Sequence, residues 1–335
     1  MIKVGIIGYG YWGPNLVRNF NSNSNFRIDK VADSRPERLA LVRTSYPAVG
    51  ITSHADDIVR DPAIDAVAVA TPIFTHFKFA KAALENGKHV LLEKPMTATA
   101  PEAEELIAIA EKRGLSLMVD HTYLYTGAVQ RMKRLIENDT IGKVKYLDST
   151  RINLGLFQPD INVLWDLAPH DISILNYLVS EAPYSLNATG ISHTQNGLEN
   201  IAFLTVNFAS GMIAHFNCSW SSPVKIRLML IGGDKKMIVF NDLEPTEKIK
   251  IYDTGYAVKT DEEKQKLLVD YRTGDIFIPK TPTTEALTLM VEDFAQSIMN
   301  RQIPIADFNS GLAVIKILEA ASRSIKNHGK EIVIQ

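Results

Sequence analysis

Asp166 and His170 stand four residues apart in the run Trp165-Asp166-Leu167-Ala168-Pro169-His170-Asp171. On a helix that spacing puts both side chains on one face. A carboxylate beside an imidazole can fix its orientation and raise its basicity, as a general base requires. The same spacing also suits a buried histidine satisfied by a local aspartate. Pro169 falls between them, and inside a helix it removes one hydrogen bond. The helix therefore either starts near Pro169 or bends there.

Lys94 is the second candidate. Glu93-Lys94-Pro95 follows the apolar run Val90-Leu91-Leu92, at the C-terminal end of an expected parallel strand. Open α/β sheets bind their ligands there. A lysine in that place can hydrogen-bond a substrate hydroxyl and stabilise a developing alkoxide. The plain alternative is a solvated ion pair between neighbours.

Gly8-Tyr9-Gly10-Tyr11-Trp12-Gly13 is a G-x-G-x-x-G run directly after a strand and at the start of a helix, the context a dinucleotide fingerprint requires. Gly8 suits the tight turn, Gly10 a backbone close to a pyrophosphate, and Gly13 close helix–strand packing. The helix N-terminus offers free N–H groups to phosphates, and Pro14 fits its first turn. Asp33 lies twenty residues beyond Gly13, where a carboxylate accepts ribose hydroxyls and repels a 2′-phosphate. That favours NAD. Ser34 and Arg35 could instead hold a 2′-phosphate, so NADP is the alternative. Tyr11, Trp12, Thr71, Pro72, His76, Glu93 and His121 complete the cofactor-side candidates, from the Gly loop and from strand ends.

The elements that must position these residues change character along the chain. Strand signals at Ile2–Ile7, Phe26–Ala32, Ala66–Ala70, His89–Leu92 and Leu115–Val119 alternate with helix signals at Pro14–Phe20, Pro36–Ser45, Phe77–Glu85 and Pro101–Lys112. That alternation implies βαβ units and a parallel sheet. After a helix at Thr126–Glu137, strands follow one another at Val144–Ile152, Ile201–Phe208, Gly211–Trp220, Lys225–Ile231 and Met237–Phe240. Only the stretch Val163–Val179 reads as helix among them, so this second sheet is expected to be mostly antiparallel. Helices at Glu285–Met299 and Ser310–Asn327 and a strand at Glu331–Gln335 close the chain, and Lys259–Lys266 reads as a solvated loop. The expected division is a Rossmann dinucleotide-binding domain over 1–122 and an α+β substrate and oligomerisation domain over 123–335, whose last helices can pack back on the first.

Composition narrows the function classes. Lys+Arg is 36 and Asp+Glu is 38, which argues against a general attraction to nucleic acid or an acidic membrane. No stretch approaches the ~18 consecutive apolar residues of a membrane helix, and the short N-terminal apolar run does not suit a signal peptide. A cytoplasmic protein is the expectation. The single cysteine, Cys218, reads as a small strand residue, and no spacing suggests a metal site.

Gly8–Gly13, Ala70-Thr71-Pro72, Glu93-Lys94-Pro95 and the D-x-x-x-H of Asp166 and His170 together resemble the glucose–fructose oxidoreductase/inositol dehydrogenase (Gfo/Idh/MocA) family, over nearly the whole chain. The strings Tyr11–Asn15, Arg151–Gly155 and Leu164–Asp171 resemble a subgroup tied to bacterial surface-polysaccharide synthesis. The family pattern differs in two places: Asn162-Val163 stands where many members have a Gly pair, and Ala168-Pro169 where many have a Gly. The resemblance implies a dehydrogenase for a secondary hydroxyl, with NAD as cofactor and a sugar as substrate. It implies His170 as base, Asp166 orienting it, and Lys94 on the reacting oxygen or itself the base. The subgroup implies C3 of a UDP-N-acetylhexosamine, with Tyr123, Arg151, Asn153 and Trp165 as further substrate contacts. A diphosphate needs basic donors, for which Arg151, Lys225 and Arg227 are candidates; Arg151, near the end of the strand Val144–Ile152, comes first as a two-pronged fork, its plain alternative being a surface strand residue. Free-sugar or inositol oxidation, or regulatory NAD(H) binding without turnover, are the alternatives. An open sheet with an uncovered apolar face implies a homodimer or homotetramer.

Overall fold

A computed structural model describes residues 1–155, 157–257 and 270–334. The Lys259–Lys266 segment lies outside them. The chain divides into two units. One comprises Met1–Tyr125 and Thr284–Glu319, the other Thr126–Thr283 and Ala320–Gln335. The segment 284–319 therefore joins the dinucleotide half.

The first unit is built on six parallel strands in the order β3 (Gly50–Thr52), β2 (Phe26–Ala32), β1 (Ile2–Ile7), β4 (Ala66–Val69), β5 (His89–Leu92) and β6 (Leu117–Val119). All four residues of β4 are buried, as its unbroken apolar run requires in a sheet covered on both faces. Strand order reverses between β1 and β4, and such a switch point opens a crevice at the strands' carboxyl ends. Helices α1 (Gly13–Ser22), α2 (Pro36–Ser45), α3 (Asp56–Val59), α4 (Ile73–Glu85) and α5 (Ala100–Arg113) connect the strands. Thr99 and Glu102 form a reciprocal capping box at the start of α5, and Gly114 ends it at φ 63°. A short 3₁₀ turn, Thr122–Tyr125, follows β6.

In the second unit a nine-stranded sheet runs β16 (Ile276–Phe277), β13 (Ile249–Tyr252), β12 (Met237–Asn241), β11 (Ser221–Gly233), β7 (Val144–Leu154), β10 (Ile213–Ser219), β9 (Ile201–Phe208), β8 (Pro183–Ile191) and β17 (Ile332–Val333). Its pairs are antiparallel except β7 with β10, which is parallel. A separate hairpin pairs β14 (Gly255–Ala257) with β15 (Asp270–Arg272). Helix α6 (Gly127–Glu137) packs on α7 (Val163–Leu178), and α7 covers one face of β7, β9 and β10.

Helix α7 neither begins at Pro169 nor ends there. Asn162 caps it, its Oδ1 accepting the Trp165 N–H at 3.1 Å, and Pro169 lies inside. The missing N–H removes one bond, while Leu164, Ala168, Ile172 and Leu175 stay fully buried and hold the helix on the sheet. Helices α8 (Ala286–Asn300) and α9 (Phe308–Lys326) follow. Within the first unit α8 is held to β2 by the stacked rings of Phe26 and Phe294, and to α1 by Phe20, edge-on to both rings, and by the Arg18–Glu285 fork. No helix among the described residues is long and apolar enough to cross a membrane.

Candidate active site

The crevice at the switch point is a cleft of about 610 Å³ in the first unit. Its walls are the Gly8–Trp12 loop, Asp33-Ser34-Arg35, Thr71-Pro72 and Glu93-Lys94. Two glycines make the loop possible. Gly8 has φ +100°, and a Cβ on it would lie 2.3 Å from the Ala70 carbonyl oxygen. A Cβ on Gly13 would lie 2.4 Å from the Gly8 carbonyl oxygen. The loop is thereby folded against the end of β4 and the start of α1. No side chain caps the N-terminus of α1 and its first turn has no acid, so its N–H groups suit a phosphate.

Asp33 closes one end of the cleft from the end of β2. Its carboxylate accepts the Tyr9 N–H at 2.8 Å, the Arg35 N–H at 3.0 Å, and Arg35 Nε and Nη2 at 3.0 Å each. Burial alone would raise its pKa. The Arg35 guanidinium and the two backbone donors outweigh that and hold the carboxyl below its ordinary range. Arg35 is thus forked onto Asp33 instead of pointing freely into the cleft.

The other end lies at β5 and β6. The Lys94–Pro95 bond is cis, and Glu93 Oε2 accepts the Lys94 N–H at 3.2 Å. Asp120, at the end of β6, accepts Trp12 Nε1 at 2.9 Å, the Thr122 N–H at 3.2 Å and the Thr122 hydroxyl. It thereby ties the Gly8–Gly13 loop to β6. Burial, reinforced by the Asp120 charge and a hydrogen bond to it, pushes the Glu93 carboxyl well above the usual range.

Two histidines expected on the cofactor side take other places. His76 is buried beneath the cleft, its ring nitrogens 2.9 Å from the Pro95 carbonyl and 2.8 Å from the Thr71 carbonyl. It braces two cleft segments and does not line the cleft. His121 is also buried and absent from the wall; burial pushes its pKa down to about 4. Neither position was legible, because the sequence does not say which face of a strand end a side chain takes. Asp120 was missed. The available signal was an acid at the C-terminal end of a parallel strand.

In the second unit Asp166 Oδ2 accepts Trp220 Nε1 at 3.1 Å, and Trp165 Nε1 donates to Ser322 Oγ at 2.9 Å. Trp220 is buried and packs against Gly155 and Phe157. It too was missed; nothing local marks a strand-end tryptophan as the donor to Asp166. His170 is part-buried on α7, one turn on from Asp166, and its carbonyl accepts the Ser173 hydroxyl at 2.7 Å. Tyr123, in the 3₁₀ turn of the first unit, is part-buried.

Arg151 requires a correction. Its Nε and Nη2 fork onto Asp171 Oδ2 and Oδ1 at 2.9 and 2.7 Å, both side chains at most 5% exposed. An arginine clamped there braces β7 against α7 and is not presented to a diphosphate. Among the described residues no group of three or more His, Cys, Asp or Glu side chains could hold a metal ion.

A parallel dinucleotide sheet with its Gly loop, an acid after β2 and a lysine after β5 defines an NAD-binding oxidoreductase, and comparison with known proteins agrees. Residues 2–121 match the Gfo/Idh/MocA oxidoreductase family, NAD-binding Rossmann fold, and residues 129–239 its C-terminal domain. The chain belongs to this family.

An uncharacterized oxidoreductase from Escherichia coli is 33% identical over 189 residues, a match spanning 50% of this chain and 51% of that protein. The scyllo-inositol 2-dehydrogenase (NADP(+)) of Bacillus subtilis is 26% identical over 97% of this chain and 94% of its own. The UDP-N-acetylglucosamine 3-dehydrogenase of Acidithiobacillus ferrooxidans is 27% identical over 96% and 95%. A solved structure of a UDP-N-acetylglucosamine 3-dehydrogenase from that organism aligns with TM-score 0.78 at 24% identity, covering 97% of this chain and 99% of that one, which speaks to the fold.

Proposed function

We propose that this oxidoreductase uses NAD to oxidise a secondary hydroxyl of a nucleotide sugar, at C3 of a UDP-N-acetylhexosamine. The observation that carries the dehydrogenase reading is a single cleft lined by the Gly loop, Asp33 and Lys94. The nucleotide-sugar reading is supported by the resemblance to the Acidithiobacillus enzyme along almost the whole of both chains.

Bound nicotinamide supplies a hydride acceptor. The chain's own residues do the rest. Gly8, Gly10 and the α1 N-terminus would hold the cofactor's pyrophosphate, with Tyr11 and Trp12 beside it, and Asp33 would take its adenosine ribose. Ser34, Thr71 and Pro72 line the remaining wall. His170 takes the hydroxyl proton with Asp166 fixing its ring, and Lys94 hydrogen-bonds the reacting oxygen. Tyr123, Asn153 and Trp165 contact the sugar. Asp33 favours NAD over NADP.

One observation favours a second reading, a free polyol. Arg151, the donor offered for a diphosphate, is held by Asp171. The test is mass spectrometry of reactions with NAD and either UDP-N-acetylglucosamine or an inositol. Loss of two hydrogens from the nucleotide sugar supports the first reading; product from the polyol alone replaces it with the second. In the same assay Lys94→Ala and His170→Ala should each lose about 10²- to 10⁴-fold in turnover while NAD affinity stays within a few-fold. Full activity in Lys94→Ala overturns the assignment of the whole site.

The sheet face opposite α7 exposes Tyr146, Phe203 and Ile213. A second copy covering it makes the homodimer or homotetramer we propose, and a monomer by light scattering refutes this.

A further inference from the structure

Glu93 and Asp120 occupy corresponding places on neighbouring parallel strands. Leu92 is in register with Val119, and the Asp120 N–H donates to the Leu92 carbonyl at 2.8 Å. The next residues on each strand, Glu93 and Asp120, therefore point to the same side of the sheet, about 4.8 Å apart along the hydrogen-bonding direction. Two carboxylates in such a place cannot both stay ionised away from water.

The donors around the two carboxyls are unequal. Asp120 accepts from Trp12 Nε1 and from both the amide and the hydroxyl of Thr122. Glu93 accepts one backbone N–H, from Lys94, and its Oε1 is buried with no donor near it. An orphaned carboxylate oxygen is costly, whereas a protonated carboxyl beside a carboxylate supplies its own donor. Burial and the Asp120 charge both act on Glu93 in the direction of protonation. Two close carboxyls with so unequal a supply of donors favour sharing a single proton.

Its place in the cleft gives that proton a use. Asp33 and β2 mark the adenosine end and the Gly8–Gly13 loop the pyrophosphate. In the strand order, β5 and β6 lie on the other side of β1 from β2, so their ends form the redox end of the cleft. We propose that the Glu93–Asp120 pair releases its proton when the nicotinamide cation binds and takes one back once the ring is reduced. This rests on the NAD-dehydrogenase reading above and deepens it.

The stoichiometry balances. The carbinol C–H bond breaks with its electron pair passing to the nicotinamide, so the alcohol is oxidised and the cofactor reduced. The O–H proton leaves to the base. The base returns that proton to solvent, and Glu93, whose carboxylate is no longer balanced by a cationic ring, takes one proton back from solvent. The acid pair thus absorbs the equivalent of the proton that alcohol oxidation produces.

Other charged groups face the pair. Lys94 adjoins it just past β5 and His121 just past β6; Tyr125 and Asp293 lie on the side of α8. The first turn of α1 contributes no acid. His121 is held neutral above about pH 6, two units over its lowered pKa. Lys94 is the group that must be told apart, since its charge also opposes a cationic ring.

The experiment measures dissociation constants of NAD⁺ and NADH by titration from about pH 6 to about pH 9, with calorimetry in buffers of different ionisation enthalpy to count protons. In the wild type, NAD⁺ affinity should rise with pH, by up to about tenfold per unit, with proton release. NADH affinity should stay flat. Glu93→Gln keeps a neutral donor in the same shape, so it should bind both cofactors and lose the NAD⁺ slope. Equal slopes for both cofactors in the wild type overturn the proposal, whatever any variant does. A slope that survives in Glu93→Gln assigns the proton to Lys94 and overturns it too. If neither cofactor binds, it is the NAD-dehydrogenase reading that fails.

Discussion

Asp33–Arg35 and Asp171–Arg151 join the same two groups through the same two-pronged geometry, one at the rim of the cofactor cleft and one inside the second unit. Arg35 is 46% exposed, Arg151 5%. In the first fork water reaches the arginine, while Asp33, itself 5% exposed, keeps the backbone N–H donors of Tyr9 and Arg35, so the arginine can leave its aspartate when a ligand competes. In the second, separation would strand a charge away from water. Identical chemistry therefore makes an adjustable recognition element in one place and a fixed brace in the other. Exposure decides which.

The largest expected effect is at the buried fork. Arg151→Ala leaves Asp171 charged and unpaired, and should cost the second unit about 3–5 kcal/mol, read from its urea unfolding transition. The double replacement Arg151→Met with Asp171→Leu should recover most of that loss. A single variant as stable as the wild type would break the comparison.

Asp33→Ala comes next. It removes the ribose acceptor and leaves Arg35 in solvent, so folding stability should change little while NAD affinity drops about tenfold to a hundredfold, or roughly 1.4–2.7 kcal/mol. A titration checks it, and unchanged affinity would detach Asp33 from cofactor recognition.

Trp220→Phe tests whether a buried donor also sets the second unit's Asp166. Losing that hydrogen bond should lower turnover about threefold to tenfold, roughly 0.5–1.5 kcal/mol, and shift the pH profile of kcat, which a purely structural role would not move.

The smallest effect belongs to Arg35→Ala. Its exposed fork should contribute under about 1 kcal/mol to stability. NADP affinity should fall more than NAD affinity, because the side chain that could turn to a 2′-phosphate is gone. Equal losses for both cofactors would show that Arg35 has no part in discriminating them.

Much of the first unit was legible because its signals are local. The buried runs of β1, β4 and β5, the glycines at 8, 10 and 13, and Asp33 and Lys94 at strand ends all follow from neighbours in sequence. Strand β8 was missed. Its Ser185, Asn187 and Thr189 alternate with Leu186 and Ala188, a short signal with few large apolar residues that was overlooked, and β9 and β17 hold it in the sheet from distant parts of the chain. The role of Arg151 was misread for a related reason: its partner lies twenty residues away on another element.

By itself the sequence determined the dinucleotide half and the family, since a turn that only glycine can make and an acid at a fixed distance beyond it depend on covalent spacing alone. Tertiary structure decided the partners. It buried His76 against two carbonyls, gave Arg151 to Asp171, hung Trp12 on Asp120 and set Glu93 beside it. Hydrogen bonds reach about 3 Å, and charge interactions depend on how much water remains between the groups. Both quantities exist only once strands and helices distant in sequence have packed.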